Sequence, residues 1–126
     1  MNTNAREVLT AARDAITATE GKNLIVGNLV RVRYDGTICH CALGYIAKAA
    51  GFSINTDNDG YAYFSADEHN LEEDEENVYV ALNDHPATKA LAHAISQFGV
   101  NLPRPVSTVY RYNDDNVKQG DYHAVI

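Results

Sequence analysis

Cys39-His40-Cys41-Ala42-Leu43-Gly44-Tyr45 sets two thiols and an imidazole where a strand stops and a helix starts. Upstream, Leu29 to Tyr34 alternate apolar and polar, and Asp35-Gly36 is a two-residue hairpin signal before a return strand at Thr37 to His40. Downstream, Leu43, Ile46, Ala47 and Ala50 recur at helical spacing, with Gly51 where a C-cap falls. The stretch therefore predicts a hairpin that feeds a helix running from about Cys41 to Ala50. A cysteine in the first turn feels the positive end of the helix macrodipole, which lowers a thiol pKa. Burial among apolar neighbours raises it. Only His40 is adjacent as a cation, so burial is expected to win and Cys41 to be an inert core thiol.

Working toward the N-terminus, Asn4 and Glu7 stand at capping-box spacing, and Ala5, Val8, Leu9, Ala12, Ile16 and Thr19 share one helical face that Gly21 ends. Leu24 to Val26 reads as a further short strand. Toward the C-terminus, Phe52 to Asn55 and Tyr61 to Phe64 predict two strands around the polar loop Thr56 to Gly60. Ser65 and Glu68 form a second capping-box match, so a helix is expected to open near Ala66 and to carry the acidic run Asp67 to Glu76. Val78 to Leu82 fits a helix or a strand equally. Asn83-Asp84-His85-Pro86 signals a helix start, with Asn83 or Asp84 as the expected cap. Ala87, Ala90, Leu91, Ala94, Ile95 and Phe98 then give an apolar face closed by Gly99. Pro103 and Pro105 bound a loop, followed by strands at Val106 to Tyr112 and Tyr122 to Ile126 around a turn at Asn113 to Asn116. The sum is a single α+β domain over residues 1–126, three or four helices packed on a small antiparallel sheet.

Composition excludes several functions. With 126 residues and 45% apolar content the chain can bury a proper core. No apolar run approaches the roughly eighteen residues that cross a bilayer, and Met1 to Glu7 lacks the layout of a secretory signal. A cytoplasmic protein without a membrane partner is expected. Two cysteines separated by one residue suit neither a disulfide framework nor a Cys-x-x-Cys redox pair, so both are expected as reduced thiols. Seventeen acids against ten Lys and Arg, a net charge of −7, argue against a nucleic-acid partner. Only Arg31, Arg33, Arg104 and Arg111 could gather into a basic spot.

Motifs with chemistry are each incomplete. Cys39, His40 and Cys41 carry donor atoms, but structural zinc sites space local cysteines by two to four residues, so no metal is expected there. Asn55 to Gly60 places oxygens and a glycine as a calcium loop does, yet Ala66 stands where the bidentate Glu belongs. The acidic run reads as a solvated helix face. No cofactor loop is present. The enzymatic alternative pairs Cys41, as a nucleophile at a helix start, with His123 as base and Asp121, or else Asn83 or Asp84, as orienting group. The tail Gly120 to Ile126 is similar to the histidine strand of papain-like thiol hydrolases.

Val8-Leu9-Thr10-Ala11-Ala12, Cys41-Ala42-Leu43-Gly44 and Leu82-Asn83-Asp84 together resemble a family of small bacterial and phage proteins, a domain of unknown function. That family is marked by an N-terminal helix, a Cys-Ala-Leu-Gly-Ala helix start and a Trp-Asn-Asp helix junction. The resemblance covers about residues 5 to 98; Tyr45 and Leu82 depart from it, as does the tail after Gly99. It implies a shared fold and no established activity. Its Leu-Gly pair also fits a packing role, because glycine lets a helix approach another element closely. The expected function is that of a small acidic protein of phage or prophage type that binds a host protein or a small ligand, with the thiol hydrolase as alternative.

Overall fold

The computed structural model describes residues 2–25, 28–56, 62–65, 75–100 and 102–118. Along the chain run α1 (Ala5–Ala18), β1 (Val30–Val32), β2 (Ile38–His40), α2 (Ala42–Ala50), β3 (Ser53–Thr56), β4 (Ala62–Ser65), α3 (Glu75–Asp84), α4 (Pro86–Ser96) and α5 (Pro105–Lys118). The fold is α+β: five helices among the described residues, with β1–β2 and β3–β4 as two antiparallel pairs.

α1 begins as its sequence dictates. Asn4 Oδ1 accepts the Glu7 N–H at 3.0 Å, and Val8, Ala12 and Ile16 turn into the core. The Glu7 carboxylate does not close the box. It accepts from Asn2 Nδ2 at 3.2 Å, while the Asn4 N–H goes to Asn2 Oδ1 at 2.8 Å. The hairpin forms, with Val30 opposite His40 and Val32 opposite Ile38, but it closes around Tyr34 to Gly36 and not the two residues Asp35-Gly36, since the Arg33 N–H donates to the Thr37 carbonyl at 2.9 Å. The strand expected at Leu24 to Val26 is reduced, among the described residues, to one parallel bridge between Leu24 and His40.

α2 is the centre of the molecule and packs against α1, α4 and α5. Every residue from Ala42 to Ala47 is buried, together with Ala50. Gly51 ends it at φ 100°, its N–H and that of Phe52 taking up the Lys48 and Ala47 carbonyls. Gly44 allows the depth of this packing. A Cβ there would overlap the Leu29 carbonyl oxygen and lie 2.9 Å from His40 Cβ. The expected packing role of that glycine is what the structure contains.

The C-terminal half decides one alternative that the sequence left open and departs from its reading in two places. Val78 to Leu82 is helical, with Val78 and Leu82 buried in α3. The cap of α4 is His85, whose Nδ1 accepts the Ala87 N–H at 3.0 Å, and not Asn83 or Asp84. The segment expected as a strand at Val106 to Tyr112, with the expected turn at Asn113 to Asn116, is the single helix α5. Its β-branched and aromatic residues favour a strand by propensity. What wins is tertiary: Val106, Val109 and Asn113 fall on one helical side and are buried there. Asn83 Oδ1 accepts the Val106 N–H at 2.9 Å, so the residue expected to cap α4 caps α5 instead. The helix expected near Ala66, most of the acidic run and the strand at Tyr122 to Ile126 lie outside the described residues.

Candidate functional site

Cys41 lies at the N-cap of α2 with 0% of its surface exposed, and Cys39 is equally buried; both are free thiols. Burial pushes the Cys41 thiol up to about 12, against the pull of the Gly44 and Leu43 N–H groups. The expectation that burial beats the helix N-terminus therefore holds. The first free N–H of α2, that of Ala42, is taken by Asn113 Oδ1 at 2.9 Å, and Asn113 Nδ2 donates to the Ile25 carbonyl at 3.0 Å. A buried asparagine from α5 thus occupies the place an anion would take.

The neighbouring imidazole is also committed to structure. His40 Nδ1 donates to the Leu29 carbonyl at 3.3 Å, since a carbonyl can only accept, and the ring packs against Tyr45 and Phe64 with centroids at 5.1 and 5.6 Å. Burial, helped by the Lys48 cation, lowers its pKa to about 4, so the ring is neutral at pH 7. Nε2 is then an acceptor, with no partner among the described residues.

His123 and Asp121, the base and orienting group of the thiol-hydrolase alternative, lie outside the described residues. Of the other groups weighed for orientation, Asn83 is held by α5 and Asp84 is exposed. His85 spends its second ring nitrogen on the Asn2 carbonyl at 2.8 Å. No cluster of three or more His, Cys, Asp or Glu able to hold a metal occurs among the described residues. Of the calcium-like loop only Asn55 and Thr56 are described, as the end of β3. No helix among the described residues is long and apolar enough to cross a membrane.

What the structure does offer is a groove of about 470 Å³ between α1, α2 and α4. Ile46 and Ala42 of α2 and Ala12 and Ile16 of α1 form its floor, while Ala90 and Leu91 of α4 make one wall. The other wall is the side of α1 that carries Arg6, Leu9, Thr10 and Arg13. The volume falls within the range of small-molecule sites. Sequence reasoning did not find this groove, although one signal pointed there. The apolar face predicted for α4 is wider than its core contact: Ala87, Ala92 and Ile95 are buried, whereas Ala90 and Ala94 are exposed and Leu91 is half-buried. Phe98, at 74% exposed, stacks on Tyr112 outside the core.

Compared with protein-family models, with curated protein sequences and with solved structures, the chain matches none.

Proposed function

We propose that the protein acts by binding: a small acidic cytoplasmic protein, of the phage or prophage type its motifs resemble, that holds a host protein or small ligand. The observation that carries this reading is the groove between α1, α2 and α4, an apolar recess that the fold leaves open rather than filling with its own side chains. The alternative, a thiol hydrolase using Cys41 with His123 and Asp121, needs a thiolate that solvent can reach. A buried thiol near 12 is not one at neutral pH.

The test uses N-phenyl-1-naphthylamine, a neutral apolar dye, with the full chain. Saturable fluorescence enhancement is expected, with amide shift changes along α1 and α4 and loss of binding in Leu91→Glu. Absence of binding, or shifts confined to another surface, would remove the groove from consideration. Iodoacetamide labelling separates the two functions independently. Cys41 should label at neutral pH only in denaturant; rapid labelling of the folded protein would favour the enzyme.

A further inference from the structure

The geometry points to an aliphatic carboxylate as the ligand of this groove, with its chain between Leu9, Ile46 and Leu91 and its headgroup on Arg6, Thr10 and Arg13. The inference rests on the reading of the groove as a binding site and names what enters it.

Arg6, Thr10 and Arg13 stand at i, i+4 and i+7, so they form one stripe along α1. The two arginines are about 10 Å apart along the helix axis, at 1.5 Å per residue, with the threonine hydroxyl between them. Arginine side chains are long enough to converge on an anion lying beside Thr10. The lining holds these two cations and no acid. That is a local inversion in a chain whose net charge is −7, so the field that admits an anion belongs to the groove and not to the protein as a whole. Arg13 has one contact to Asp14 at 3.4 Å, between side chains that are both more than half exposed, which is a weak pair that leaves most of its fork available. No carboxylate among the described residues pairs with Arg6.

The division of the lining decides the chemical class. The α1 wall carries Arg6, Thr10 and Arg13 as a polar, cationic stripe beside Leu9, while the floor and the α4 wall are apolar. A ligand that satisfies both must join an extended apolar part to a compact anion. A carboxylate matches the planar guanidinium fork, which binds it through two parallel N–H donors. A neutral amphiphile leaves Arg6 without a counter-charge and Arg13 with only its exposed contact to Asp14, and a cationic one meets repulsion.

Decanoate below its micellar range, decanol and decyltrimethylammonium serve as probes, titrated into the full chain and followed by displacement of N-phenyl-1-naphthylamine. Decanoate should displace the dye at a concentration lower than decanol by about tenfold or more, the usual range for one charge-assisted contact. The cation should bind weakest. Arg6→Gln with Arg13→Gln, both exposed sites whose replacement leaves the core untouched, should bring decanoate to the level of decanol, each compared within the variant against that variant's own dye affinity. Equal affinity for decanoate and decanol, or a double variant that binds decanoate unchanged, overturns the inference. So does a dimer, seen by sedimentation, whose formation excludes the dye, because the occupant is then a second copy. Dye binding without decanoate binding leaves the groove as a site and removes the carboxylate. Failure of both probes removes the groove reading as well.

Discussion

At the scale of single residues, the decisive contacts are ones where an atom more or less cannot be absorbed. Gly44 faces the Leu29 carbonyl so closely that a methyl group has no room, and the obstacle is backbone rather than a side chain that could rotate away. Gly44→Ala should therefore destabilise the protein by about 3 kcal/mol, the upper part of the usual overpacking range, although alanine is the better helix former. A urea titration with an unchanged midpoint would contradict the packing described for α2. Asn113 is the polar counterpart. Its removal leaves the Ala42 N–H and the Ile25 carbonyl without the partner that burial demands, so Asn113→Ala should cost about 1 to 3 kcal/mol. The sequence announces the first of these residues and hides the second. Glycine within a Leu-Gly helix start suggests close approach, but an asparagine among Asn113-Asp114-Asp115-Asn116 looks like a turn until its partners 71 and 88 residues away are known. The candidate site divides in the same way. Cys41 stands out in the sequence because of its chemistry, whereas Arg6 and Arg13 look like ordinary solvated charges until α4 is placed beside them.

At the scale of elements, helix ends are exchanged between segments. α1 is capped from its own sequence by Asn4, and that helix could be placed from the sequence with its start and core face correct. α2 is capped from α5 by Asn113, and α5 is capped from the end of α3 by Asn83. α4 is capped by His85, a residue outside the usual list of N-caps, whose other nitrogen holds the N-terminal Asn2. A cap supplied from a distant segment leaves no local spacing to find, so nothing in the sequence of α5 offsets the strand propensity of its β-branched and aromatic residues. Hydrogen exchange separates these roles. Asn83→Ala should cost about 1 kcal/mol and raise exchange at the first turn of α5, with α4 unaffected. His85→Ala should raise exchange at the first turn of α4 and loosen residues 2 to 4. The opposite pattern, with α4 deprotected by Asn83→Ala, would restore the local cap and dismiss the tertiary one.

At the scale of the whole molecule, the buried titratable groups set the pH range in which the fold persists. In the unfolded chain the His40 imidazole takes up a proton near 6.5, whereas burial delays this in the folded protein until about 4. Between these values the unfolded state binds the proton that the folded state refuses. Stability is thus highest above 6.5 and falls as the pH drops toward 4, by about 3 kcal/mol at roughly 1.4 kcal/mol per unit. Cys41 works from the other side. Its thiol ionises near 9.0 when unfolded and near 12 when folded. Stability is whole below 9.0 and falls as the pH rises toward 12, by about 4 kcal/mol on the same scale. The two groups are neighbours at the β2–α2 corner, so one site in the core limits the fold at both extremes. Denaturant midpoints measured across pH would show this as a difference between proteins, which cancels the titration of surface groups. His40→Gln should lose the decline between 6.5 and 4 that the parent shows, and Cys41→Ala the part of the alkaline decline that sets in at 9.0, leaving the part due to the Tyr45 phenol, whose pKa burial also raises. Each variant should keep the limb that belongs to the other group. If the His40→Gln curve runs parallel to that of the parent through the acid window, the imidazole is charged in the folded state, and the packing assigned to it between Tyr45 and Phe64 is wrong.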